Sequence, residues 1–181
     1  MKLEGFKLSV EATPDAFIAY AKWYIGQMEK PGNSGFKDLG FEKEMVAAGW
    51  LKGDPWCATF MKMVFRKLFT GDLLAAVNKQ FNASAKQTAD RVKAAGVFAT
   101  GTVPVPGAVV LFLHGRGPSG HAGMVESVDL KSNTMYCIEG NTNASGSREG
   151  DRVARKPRTI NRGFSADGLN VYLYIYPWLK A

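Results

Sequence analysis

Gly53-Asp54-Pro55-Trp56-Cys57-Ala58-Thr59-Phe60, with the apolar run that continues to Phe69, is the stretch on which the fold turns. From Cys57 onward, Phe60, Met61, Val64, Phe65 and Leu68 recur at i+3, i+4, i+7, i+8 and i+11, one face of an amphipathic helix. Pro55 suits the entry to such a helix, where its fixed φ and missing N–H cost nothing. Cys57 therefore stands at a helix N-terminus. Unpaired N–H groups and the positive end of the helix dipole favour an anion there. A thiol so placed is lowered from its usual value of about 8.5, and a neighbouring imidazole lowers it further.

Working outward, Thr13-Pro14-Asp15 is a helix start, with a cap, a proline and an acid in order. The helix is expected to reach about residue 29, with Phe17, Tyr20, Ala21, Tyr24, Ile25 and Met28 on its core face. Residues 30–35 form a loop of turn-forming residues. A short helix is expected over 41–48, stopped by Gly49. Gly71-Asp72 breaks the Cys57 helix, and Asn82 or Ser84 caps another that ends near Ala95 at Gly96.

After Thr100 the pattern changes. Residues 108–113, 122–128 and 134–138 are apolar, β-branched runs of strand length, the last two joined by a polar turn over 129–133. Strands are also expected around Val153 and over 169–176. Helices first and a largely antiparallel sheet afterwards make an α+β domain. The 181 residues suit one domain, with its core at about 14–177 and no separate wall-binding domain expected.

Composition narrows the function classes. Hydrophobic residues make up 46% and charged residues 22%, which fits a folded chain and excludes a disordered one. No apolar run reaches membrane-spanning length, and residues 1–7 lack the apolar core of a signal peptide, so synthesis in the cytoplasm is expected. Two cysteines match neither a disulfide framework nor a zinc or CxxC motif. The net charge of +7 predicts attraction to polyanions. The basic residues concentrate in Arg148, Arg152, Arg155, Lys156, Arg158 and Arg162, which read as a solvated basic face. Without RNP-type aromatics or zinc-finger spacing, nucleic acid is not an expected partner.

His121 lies at a strand entrance in Ser119-Gly120-His121-Ala122-Gly123, left accessible by its glycines. His114 is the chain's other histidine. Glu139 or Asn141, at the end of the next strand, could reach the His121 ring and fix its tautomer, freeing the second nitrogen to pair with a thiolate. Cys137, mid-strand among apolar residues, reads as core.

Together, Trp56-Cys57-Ala58, 106–112, Gly120-His121-Ala122-Gly123-Met124-Val125 and Ile138-Glu139-Gly140-Asn141-Thr142 resemble the CHAP family of cysteine, histidine-dependent amidohydrolases and peptidases. The resemblance implies a papain-like architecture, with Cys57 as nucleophile, His121 as general base and acid, and Glu139 orienting the ring. Asn141 would be an alternative or auxiliary orienter. It implies peptidoglycan as substrate, with no cofactor. Many members carry glutamine before the cysteine as an oxyanion donor, where this chain has Trp56. Some carry an Asp-rich calcium loop ahead of it, where only Asp54 is close, so neither calcium nor another metal is expected.

A monomeric phage-type lysin or injected antibacterial effector follows, reaching the wall by holin-type release or injection and drawn to anionic wall polymers. An immunity protein would be the partner of an effector. Three alternatives remain: a non-catalytic wall-binding or tail-structural protein, a cysteine protease or acyltransferase acting on a protein, and a metal-dependent hydrolase using His114, His121, a cysteine and Glu139. The last matches no HExxH or HxH spacing.

Overall fold

The computed structural model describes residues 12–143 and 150–180; residues 1–7, read above for a signal peptide, and Arg148 lie outside them. Among the described residues five helices precede six strands: α1 (Pro14–Trp23), α2 (Leu39–Ala47), α3 (Cys57–Leu68), α4 (Gly71–Gln80), α5 (Ala85–Ala95), β1 (Phe98–Gly101), β2 (Val109–His114), β3 (Gly120–Asp129), β4 (Thr134–Thr142), β5 (Arg152–Thr159) and β6 (Leu169–Lys180). The strands form one sheet in the order β1-β6-β2-β3-β4-β5, with every pairing antiparallel. The chain has the expected α+β, papain-like arrangement, with Cys57 at a helix start packed on the sheet.

The helix α3 lies across β3 and β4 and is braced by α1, α2 and α4. Its expected face is buried, with Phe60, Met61, Val64 and Phe65 inaccessible to solvent. A fully buried side chain of this size contributes about 1.5–3 kcal/mol, so this helix anchors the core on one side of the sheet. A second apolar cluster covers the opposite side, built from Val110, Phe112, Val125, Met135, Cys137 and Tyr174 among others. Cys137 is fully buried there, and its thiol is pushed well above the ordinary range, first by burial and then by the Glu139 carboxylate.

Local signals explain several boundaries. The side chains of Thr13, Asp38 and Ser84 accept hydrogen bonds from backbone N–H groups in the first turns of α1, α2 and α5. Gly96, at φ +60°, ends α5 in the left-handed conformation that glycine tolerates best.

Several expectations change. The first helix stops at Trp23 rather than near residue 29. Beyond it the chain turns at Gly26, which donates to the Val153 carbonyl (2.9 Å), and Glu29 N–H donates to the Asp151 carbonyl (2.8 Å). The exposed edge of β5 thus captures the segment, satisfying backbone groups that an edge strand leaves open. Ile25, expected in the core, is 43% exposed. Gly71 does not only break a helix but begins α4, and β1 adds an edge strand that starts at Phe98, ahead of the expected change at Thr100. The later strands run longer than their apolar runs, β4 as far as Thr142 and β6 as far as Lys180.

Candidate active site

Cys57 is the first residue of α3, while Trp56 caps the helix without a side-chain hydrogen bond. Pro55 therefore falls before the cap rather than inside the first turn. An N-terminus without a side-chain acceptor leaves its amides available to another anion. The Cys57 thiol uses them: its hydrogen-bond partners are the His121 ring, the backbone of Ala122 at the start of β3 and the backbone of Ala58. Cys57 is 4% exposed. Burial pushes its pKa up, but the charge of His121 and these hydrogen bonds outweigh that and hold it below the ordinary value.

His121 is the second residue of β3, with its ring stacked against Phe112 of β2. Its Nε2 lies 2.8 Å from Glu139 Oε2 on β4, which leaves Nδ1 for the thiol. Burial pushes the imidazole down, but the Glu139 carboxylate, followed by Cys57, raises it to about 10. Glu139 is fully buried. Burial would raise its pKa, yet His121 and Arg158 lower it to about 2. The three groups therefore favour a thiolate–imidazolium–carboxylate arrangement.

A residue that the sequence reading placed only in a solvated basic face completes the line. Arg158 of β5 grips Glu139 with two prongs, Nε donating to Oε1 at 2.6 Å and Nη2 to Oε2. This paired geometry is the strongest ordinary form of a carboxylate hydrogen bond. It compensates the carboxylate for leaving water, which an unpaired buried charge could not tolerate. A signal was present in the alternation of β5, which puts Lys156 and Arg158 on one side of the sheet while Arg155 on the other meets Glu126. The cluster of cations hid it.

Two glycines make room for this assembly. A Cβ on Gly123 would lie 2.8 Å from Glu139 Cγ, and one on Gly140 would lie 2.7 Å from Trp56 Cζ3 and 2.8 Å from Phe60 Cβ. The Trp56 ring is fully buried, edge-on to Phe36, and its Nε1 donates to the Glu29 carboxylate. It fixes the entry to α3 and is turned away from any role as an oxyanion donor.

Asn141 shares a cleft of about 800 Å³ with His121 without hydrogen-bonding to it among the described residues; the His121 Nε2 is taken by Glu139. It sits at φ +51° near the end of β4. His114, the last residue of β2, lines the same cleft. Among the described residues no three His, Cys, Asp or Glu side chains cluster as a metal site requires. The set named for a metal-dependent hydrolase is therefore not gathered as one metal site among the described residues.

The sequence matches the CHAP domain over residues 48–141, just over half of the chain. The chain belongs to the CHAP family. The matched span contains Cys57, His121, Glu139 and Asn141, while Arg158 lies outside it. The CHAP chain is also similar to two solved structures. One is described as the crystal structure of Ly7917, with 20% identity and a TM-score of 0.46. The other is described as Ly7917 with the hydrolyzing product of MDP, with 18% identity and a TM-score of 0.43. In each, 91% of this chain is covered, and this chain spans 62% of the other's length. No curated protein matches the sequence.

Proposed function

We propose that the protein is a peptidoglycan hydrolase, an amidase or endopeptidase, in which Cys57 is the nucleophile. The reading rests on the hydrogen-bonded line Cys57–His121–Glu139 in a member of this family. The thiolate attacks the carbonyl carbon of an amide, and the negative charge that develops on its oxygen is stabilised by backbone N–H groups at the start of α3. His121, as imidazolium, gives its proton to the departing amine as the C–N bond breaks, leaving a thioester on Cys57. The neutral ring then takes a proton from water, whose oxygen attacks the thioester. Collapse releases the carboxylic acid product and restores the thiolate–imidazolium pair. Glu139 keeps the ring in register and stabilises its charge without being protonated.

Purified sacculi treated with wild type and with Cys57→Ala under reducing conditions test this reading. Soluble fragments are expected from wild type, with the variant slower on the order of 10⁴-fold or more, and fragment masses will tell amidase from endopeptidase cleavage. Binding to sacculi without fragments from either protein would instead support the non-catalytic reading. Action as a phage lysin or an injected effector, with holin-type release or injection as the route, belongs to the same proposal. Lysis of a producing cell that depends on a co-expressed holin is expected of a lysin, and lysis without one would sink that route.

A further inference from the structure

The cleft beside His121 carries more positive charge than the catalytic line uses. Arg116, Lys156, Arg158 and Arg162 all line it, and among its described residues one carboxylate, Asp167, stands against them. Arg158 is committed to Glu139. Lys156 Nζ donates to the Asn143 carbonyl, which bears no charge. Among the described residues neither Arg116 nor Arg162 is paired with a carboxylate.

These cations come from separate parts of the chain, and the loops that carry Arg116 and Arg162 are braced. Lys156 and Arg158 project from β5 on the side away from the helices. Arg116 sits in the turn between β2 and β3, with its guanidinium 5.2 Å from the centre of the Phe164 ring. Arg162 sits in the connection from β5 to β6. The two loops are tied together by Gly115 N–H donating to the Gly168 carbonyl at 3.0 Å. The second is braced by Asn170, whose side chain accepts from Ser165 N–H at 2.8 Å and donates to the Ser165 carbonyl at 2.9 Å. A neighbouring cleft of about 560 Å³ shares Arg158 and Arg162 with it. Cations scattered over a surface are simply solvated. Cations gathered on a braced concave wall repel one another and create a local potential that an anion relieves.

Resting on the hydrolase reading above, we infer that this cleft is a subsite for a free carboxylate of the substrate's stem peptide, held by Arg116 and Arg162. The planar guanidinium matches a carboxylate with two parallel hydrogen bonds. The position beside His121 requires the anion to belong to the molecule whose amide is being cut. Stem peptides carry carboxylates a residue or two from their scissile amides, whereas the muramic acid carboxylate is consumed in the amide itself. A separate wall polymer has no reason to reach this close to the histidine.

The test uses two synthetic muropeptides that differ in one group, a free stem-peptide carboxylate or its amide, with wild type, Arg116→Gln, Arg162→Gln and the double variant. Both arginines are exposed, so unchanged thermal melts are expected. Wild type should favour the free acid by roughly ten- to hundredfold, through KM. The double variant should lose that preference while kcat on the amide stays within about twofold. Equal handling of the two substrates by wild type, or an undiminished preference in the double variant, would overturn the inference. So would equal competition by wall teichoic acid, which marks a general polyanion surface. If wild type turns over neither peptide, the hydrolase reading fails, and calorimetric titration of both peptides into Cys57→Ala and its Arg116→Gln/Arg162→Gln derivative decides the subsite alone. Tighter binding of the free acid, abolished by the two substitutions, supports it; equal binding rejects it.

Discussion

Glu139 has three tasks at one carboxylate: it must be buried, stay ionised and point at His121. Arg158 makes these compatible, since its two prongs satisfy the carboxylate and fix its plane. Arg158→Gln should therefore lower kcat/KM on the order of a hundredfold, mostly in kcat, because a misplacement near 1 Å at a catalytic group has that effect. It should also cost roughly 3 kcal/mol in urea denaturation, by leaving a buried charge partly uncompensated. Arg158→Lys restores charge without the fork and should recover only part of either loss. Equal activity of wild type and Arg158→Gln would remove Arg158 from the positioning role. The pH dependence has defined signs. Activity should rise as Cys57 ionises below the ordinary thiol range and fall as His121 loses its proton near about 10. Stability follows linkage. Glu139, lowered to about 2, contributes fully above the ordinary 4.5, and that contribution is lost as pH falls through 2. His121, raised to about 10, contributes fully below 6.5 and loses that contribution as pH rises through 10. In Arg158→Gln, with Glu139 lowered less, the acid loss should be smaller and should end at a higher pH, which thermal melts across a pH series would detect.

At the scale of elements, the site depends on how closely α3 approaches β4. Gly140 allows that approach, since a Cβ there would meet the Trp56 ring at 2.7 Å and the Phe60 Cβ at 2.8 Å. Gly140→Ala should destabilise the protein by about 1–3 kcal/mol, as overpacking does, and should reduce activity by shifting the cap of α3. A urea midpoint unchanged from wild type would show that α3 can retreat without loss. The sequence made α3 legible because its whole face is apolar at helical spacing, and α5 legible because Ser84 and Gly96 mark its ends. The weakly patterned elements were less visible. Only Val77 and Gln80 of α4 are buried, so it lacks a clear apolar face, and Gly71 reads as a break even though a helix follows it. In β1 only Phe98 is buried, and its existence is decided by pairing with β6, far away in sequence. The last residues assigned to α1 carry a helical period, yet the open edge of β5 offers them backbone partners that no local pattern reveals. The candidate catalytic line divides the same way. Cys57, His121 and Glu139 could be picked out by local context, but Arg158 needed the register of β4 against β5.

On the scale of the molecule, the sheet separates two apolar clusters, and the two thiols belong to different ones. Cys57 lies in the larger cluster, at the margin where α3 begins, with its thiol hydrogen-bonded to His121 and lowered below the ordinary range. Cys137 lies in the outer cluster, fully buried, with its thiol raised. Because the thiolate is the reacting form, the two should respond differently to iodoacetamide near pH 7. Cys57 should alkylate in the native protein with loss of activity, while Cys137 should wait for the sheet to open. Met135 and Val125 enclose Cys137 from β4 and β3, and Tyr174 of β6 donates its hydroxyl to Met135 Sδ at 3.5 Å across the same cluster. Exposure of Cys137 therefore requires separating strands drawn from most of the sheet. Its labelling, followed by mass spectrometry across a urea series, should track the global unfolding transition seen by circular dichroism. Labelling of Cys137 well below that midpoint would mean that the outer cluster opens as a separate unit, and that the two sides of the sheet do not unfold together.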